Sequence, residues 1–218
     1  MTLPSPSHHL TDALIQGYAA GTLPEAVNLI VASHVSLCDD CRAAVEAAET
    51  LGGALLETQD TAPLAENALD RAMAAIRGTA PEARPIRMPK SDPVIPAPLA
   101  DYIGGSLDNV RWRPLGMGVK QAILDTTPEA SARLLYIPAG VAVPDHSHNG
   151  LELTLVLQGA FSDEDGHFAR GDIEVADDSV EHMPVADISE DCICLAVTDA
   201  PLRFNSFLPR LLQPIFRI

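Results

Sequence analysis

A run of prolines divides this chain. Pro81, Pro85, Pro89, Pro93, Pro96 and Pro98 all fall between Thr79 and Pro98. Each withholds a backbone N–H and fixes φ near about −65°, so the stretch favours extended backbone and suits neither a helix interior nor a central strand. It reads as a spacer over residues 81–98 between two folded units, residues 1–80 and residues 99–218. A chain of 218 residues is long enough for both. The hydrophobic pattern also changes across the spacer, which predicts an α+β multidomain protein: a small helical bundle followed by an antiparallel β-sandwich or β-barrel.

The first unit has helical punctuation. Thr11 predicts a cap for a helix over Asp12 to Ala20, with Gly21 closing it. Thr22 predicts the cap of a second helix, with Pro24 in its first turn and Leu29, Ile30 and Val31 leading to His34. A third, Ala-rich helix starts at Asp39 or Asp40 and runs through Glu57, weakened at Gly52 and Gly53. A fourth spans Pro63 to Ile76. Four short helices enclose a small core, and small cores commonly need a staple. His34-x3-Cys38-x2-Cys41 offers one, because two thiolates and an imidazole one helical turn away can converge on a single tetrahedral ion. The plainer reading is a solvated histidine beside two unlinked thiols, but the full spacing is more specific than CxxC alone. A redox CxxC fits less well, since no βαβ pattern surrounds it.

With its upstream His8-His9 doublet and four short helices, this segment resembles the zinc-binding anti-sigma domain of bacterial anti-sigma factors. It is most similar to the ChrR-type members, which append a cupin domain, and the resemblance extends over nearly the whole chain. It implies that His9, His34, Cys38 and Cys41 ligate zinc. The flanking Leu-Thr-Asp-Ala-Leu matches better with His9 than with His8, and the doublet leaves both in play. It also implies a partner: an extracytoplasmic-function sigma factor whose polymerase-binding surfaces are masked.

The second unit carries short β-prone runs at Val110 to Trp112, Val119 to Leu124, Ala132 to Ile137, Leu151 to Leu157, Ile173 to Val175 and Cys192 to Val197. Gly, Pro and Asp clusters separate them, as in an antiparallel sandwich or barrel. Within them stands Gly140-x5-His146-x-His148-x3-Glu152-x6-Gly159. His146 and His148 are two apart, so on a strand both point to one face, and Glu152 shares their parity. This spacing is similar to the first cupin motif at every marker position. The second cupin motif is kept at Gly171 and His182 but departs at Asp177, Ser179 and Ala186. By resemblance, His146, His148, Glu152 and His182 form a His3Glu metal site inside the barrel. Three imidazoles and a carboxylate accept Zn, Fe, Mn, Ni or Cu, and the ChrR-type resemblance points to zinc, making two zinc sites in all. Asp145 and Glu181 are candidates to orient the histidines, and His167 reads as solvated. Cys192 and Cys194 face one side of a strand, either as small core residues or as an oxidation-sensitive pair.

The net charge of −16 argues against direct nucleic-acid binding, which draws its affinity from Lys and Arg. Residues 1–90 carry 6 basic and 11 acidic groups, and residues 91–218 carry 8 and 19. Most of the acidity is therefore on the barrel side, and apolar helix faces must carry the contact with a sigma factor. No targeting or membrane-spanning pattern is expected, which points to the cytoplasm. Two functions follow. One is a non-enzymatic regulator whose helices hold a sigma factor and whose metal-binding barrel controls its release. Resemblance to ChrR-type members implies oxidative stress as the signal, singlet oxygen or organic hydroperoxides. The other is a metal-dependent cupin enzyme, a dioxygenase or isomerase, with a zinc-stapled accessory domain. The N-terminal motif and the spacer favour the regulator, because an enzyme needs neither.

Overall fold

The computed structural model describes residues 5–78, 92–144, 146–147, 150–177, 181–200 and 203–204. Most of the expected spacer, His148, Asp145, Ser179 and residues 205–218 lie outside them. Helix α1 (Asp12–Ala19) starts where the Thr11 hydroxyl accepts the Leu14 N–H, and Gly21 follows its end at φ +67°. Helix α2 (Glu25–Val35) departs from expectation. Thr22 does not cap it but donates to the Gly17 carbonyl at 3.2 Å, and extended Pro24 holds the N-cap position. A proline disfavours helical backbone at the residue before it, which pushes the start beyond Leu23. Helix α3 (Asp39–Glu57) begins at Cys38 and passes Gly52 and Gly53 unbroken.

Helix α4 (Ala68–Gly78) starts later than the predicted Pro63 and buries none of its side chains. With no packing to hold an extra turn, propensity alone does not extend the helix back to the proline.

Residues 92–98, expected as part of the spacer, pack against the fold. Asp92 accepts the N–H groups of Val94 and Leu107, both at 3.0 Å. The Arg170 guanidinium donates to the carbonyls of Pro93, Val94 and Leu157. Ile95 is half-buried, and the buried Pro96 leads directly into α5 (Ala97–Ile103), whose Leu99 is fully enclosed. Every backbone carbonyl here can still accept, so a proline-rich segment is docked through its oxygens.

The rest is antiparallel β-structure. The strands are β1 (Arg113–Gly116), β2 (Val119–Ile123), β3 (Ser131–Ile137), β4 (His146–Ser147), β5 (Glu152–Gln158) and β6 (Ala160–Ser162). They continue with β7 (His167–Ala169), β8 (Ile173–Ala176), β9 (Glu181–His182), β10 (Val185–Ala186), β11 (Cys192–Thr198) and β12 (Arg203–Phe204). The main sheet runs β1-β2-β3-β11-β5-β8, with smaller sheets β10-β6-β7 and β12-β4-β9. The expected strand over Val110 to Trp112 is absent. A short 3-10 turn at Leu107–Asn109 precedes it, Val110 and Trp112 pack on the core, and the ladder begins at Arg113.

The central strands β5 and β11 of the main sheet are buried on both faces and read as near-continuous apolar runs. Along β11, Ile193, Leu195 and Val197 join a core with α2 and α5, while Cys192 and Cys194 face Phe161, Phe168 and Val156 on the other side. Helix α2 lies in the seam: Ala26, Ile30, Val31, Ser33 and His34 have essentially no exposure. The helical and β portions therefore share one continuous core. Among the described residues no helix is long and apolar enough to cross a membrane.

Candidate metal centres

The N-terminal cluster is assembled at the junction of three segments. His9 lies in the extended approach to α1, His34 in the last turn of α2, and Cys38 and Cys41 at the start of α3. The His9 Nδ1 is 3.3 Å from Cys38 Sγ and 3.7 Å from Cys41 Sγ, and His34 Nε2 is 3.3 Å from Cys41 Sγ. One ligand atom from each residue lies within 4.8 Å of the others. A tetrahedral ion with metal–sulfur bonds of about 2.3 Å and metal–nitrogen bonds of about 2.0 Å places neighbouring ligand atoms roughly 3.5 Å apart. The donor set and its spacing fit such an ion. His8 is elsewhere: its ring packs against Phe168 at 4.3 Å between centroids, so His9 is the member of the doublet that reaches the thiols.

The electrostatics suit ligation. Burial holds the His34 pKa down at about 4, leaving a neutral imidazole at physiological pH. Its Nδ1–H donates to the Gly171 carbonyl at 2.9 Å, which leaves the Nε2 lone pair facing Cys41. Burial likewise pushes the Cys41 thiol up to about 11, with Cys38 beside it adding to the effect. Two thiolates crowded in this position need a cation to be stable, and a bound divalent ion would reverse that shift.

The barrel site is described in part. His146 on β4 stands directly opposite His182 on β9 in the strand register, and His148 is outside the described residues. Glu152 opens β5, 7% exposed, and accepts a hydrogen bond from Thr154 at 3.3 Å. His182 is 2% exposed, and its Nδ1 lies 2.9 Å from Asp163 Oδ2 and 3.0 Å from Glu174 Oε1. Although burial opposes it, these carboxylates, joined by Glu152, raise the His182 pKa to about 9. Glu174 is itself pushed up to about 7, chiefly by burial.

Asp163, Glu174 and His182 form a second group able to converge on an ion. Asp145 and Glu181 are the orienting residues expected from the sequence, whereas Asp163 and Glu174, which face His182, are not evident there. Asp163 sits in an Asp/Gly-rich turn that resembles a solvated loop. Glu174 lies beside Ile173, which is buried on the opposite face of the same strand. Only the inward parity shared by Glu152, Thr154 and Glu174 across β5 and β8 carried a signal.

His167 is exposed and bonded to Ser162 at 3.0 Å, as expected of a solvated residue. Cys192 and Cys194 have their sulfurs 3.5 Å apart and are not bonded as a disulfide. The hydrogen bond with Cys192, followed by burial, raises the Cys194 thiol strongly, so Cys194 rests protonated.

The chain is similar to known proteins. The ChrR Cupin-like domain family model matches residues 102–202. Anti-sigma-E factor ChrR of Cereibacter sphaeroides is 59% identical over 211 residues, 97% of this chain and 98% of that protein. The fold is also similar to the crystal structure of Rhodobacter sphaeroides SigE in complex with the anti-sigma ChrR. The TM-score is 0.79 and the identity 55%, covering 89% of this chain and 99% of that one.

Proposed function

This chain belongs to the ChrR family of anti-sigma factors, and from that membership we propose that it binds and inhibits an extracytoplasmic-function sigma factor in the cytoplasm. In this reading His9, His34, Cys38 and Cys41 hold a structural zinc, and His146, His148, Glu152 and His182 hold a second metal, zinc by family resemblance. The zinc at the first site would tie the start of α1 to the α2–α3 junction and so fix the angle between these helices. The barrel controls release in response to oxidative stress, singlet oxygen or organic hydroperoxides. The chain acts as a regulator rather than as a cupin enzyme, in keeping with a relative that matches it end to end.

The observation that carries this reading is an apolar helical surface with no partner in the described residues. Leu51, Leu55 and Leu56 on α3, Leu64 before α4, and Leu69 and Ile76 on α4 are between 58% and 85% exposed. Leu69, Met73 and Ile76 recur at helical spacing, giving a stripe suited to a groove on another protein. Burying each such side chain is worth about 1.5–3 kcal/mol, enough together for tight association. The acidic balance does not supply this contact, because 19 of the 30 acidic residues lie after residue 90.

Run-off transcription tests the function. The intact, metal-loaded chain mixed with its sigma factor should form a one-to-one complex and silence sigma-dependent initiation by core polymerase. Transcription unaffected by excess chain would refute it.

A further inference from the structure

The two histidine-bearing regions are not independent, because one turn of the barrel reaches the N-terminal cluster. Between β7 and β8, the Asp172 carboxylate is 4% exposed and accepts three backbone N–H groups. Ser7 and His8 donate to its Oδ1 at 2.5 and 2.9 Å, and Ala169 donates to its Oδ2 at 2.8 Å. The contact continues through the Ile173 N–H, which donates to the His8 carbonyl at 3.4 Å. Gly171 leaves room for Pro6: a Cβ there would lie 2.9 Å from Pro6 Cγ, and its φ of +91° disfavours any other residue. Its carbonyl takes the His34 Nδ1–H.

We propose that the Gly171–Asp172 turn is a positioning element for the Cys/His centre. Asp172 fixes the backbone that delivers His9, and the Gly171 carbonyl fixes the tautomer and ring orientation of His34. The barrel thus supplies the outer hydrogen bonds of a metal centre whose four ligands all come from the helical portion. Hydrogen bonds to the far nitrogen of a ligating imidazole, and to the backbone beside a ligand, commonly set metal affinity by about 10- to 100-fold. The coupling is reciprocal: whatever strengthens the centre when the turn is docked also strengthens docking when the metal is bound. The strand that begins after Asp172 carries Glu174, which faces His182, so β8 bears on both centres.

This inference rests on the reading of the N-terminal cluster as a metal centre. Its test is titration of the intact, metal-free chain with Co(II), comparing wild type with Asp172→Ala and Ser7→Pro. Thiolate-to-cobalt charge transfer reports the N-terminal centre alone, since the barrel ligands proposed above contain no sulfur. Ser7→Pro removes one donor to Asp172 at an exposed position and leaves the β7–β8 turn intact. Both variants should bind thiolate-ligated Co(II) about 10- to 100-fold more weakly. Wild-type affinity in both would overturn the proposal. So would weakening in Asp172→Ala alone, which would trace the effect to the turn's own folding. A wild-type chain with no thiolate band would refute the metal reading itself, and with it this inference.

Discussion

Leu69→Asp separates docking from folding. Leu69 is 73% exposed in the first turn of α4, a helix that buries nothing, so the folded chain loses little when it is replaced. Aspartate near a helix N-terminus also interacts favourably with the helix dipole. The change in folding stability should be within about 0.5 kcal/mol. In a sigma complex the same position would be desolvated. About three quarters of a leucine's burial, roughly 1.5 kcal/mol, is then lost. Enclosing an unpaired carboxylate costs roughly a further 2 kcal/mol. The sum of about 3–4 kcal/mol corresponds to a Kd weakened by two to three orders of magnitude. Thermal unfolding and calorimetric titration with the sigma factor measure the two sides. An unchanged melting temperature with a Kd within threefold of wild type would refute the assignment of α4 as a docking surface.

Three further predictions follow from the geometry. Ile30→Ala, at a fully enclosed position in the seam, should cost about 2–5 kcal/mol and lower the melting temperature by roughly 5–15 °C. The helical signal and Trp112 fluorescence should shift together, and an unmoved Trp112 transition would contradict the shared core. In metal-free protein, His34 is neutral in the folded state down to about pH 4 but protonates near 6.5 when unfolded. The unfolded state therefore binds more protons between those values. The stability of wild type relative to His34→Gln should fall by up to about 3 kcal/mol as pH drops from 6.5 toward 4; equal losses in urea melts would count against it. His146→Ala and Glu152→Ala should keep sigma binding but blunt induction by singlet oxygen or organic hydroperoxide in a reporter strain, and full induction in both would contradict barrel sensing.

What was legible in the sequence was whatever rests on local spacing. His34, Cys38 and Cys41 are brought together by one helix end and the next helix start, and that is written in eight consecutive residues. The strands buried on both faces were visible as apolar runs such as those around Leu155 and Leu195. Less legible was anything decided by packing between distant segments. Thr22 has the chemistry of a helix cap, but Pro24 takes that position and Thr22 turns back to Gly17. Pro93 and Pro96 looked like spacer because proline lacks a donor, yet Arg170 docks the segment through its carbonyls. Asp163, Glu174 and Asp172 carry no such signal, because nothing local shows that His182, Ser7 and His8 are folded against them.

Metal-stapled helices that hold a sigma factor should retain metal and partner together. Native mass spectrometry of the intact chain co-purified with its extracytoplasmic-function sigma factor tests it most directly. One chain, one sigma factor and two zinc ions are expected in a single complex. A metal-loaded chain that fails to retain the sigma factor, or a complex that forms fully without metal, would contradict it.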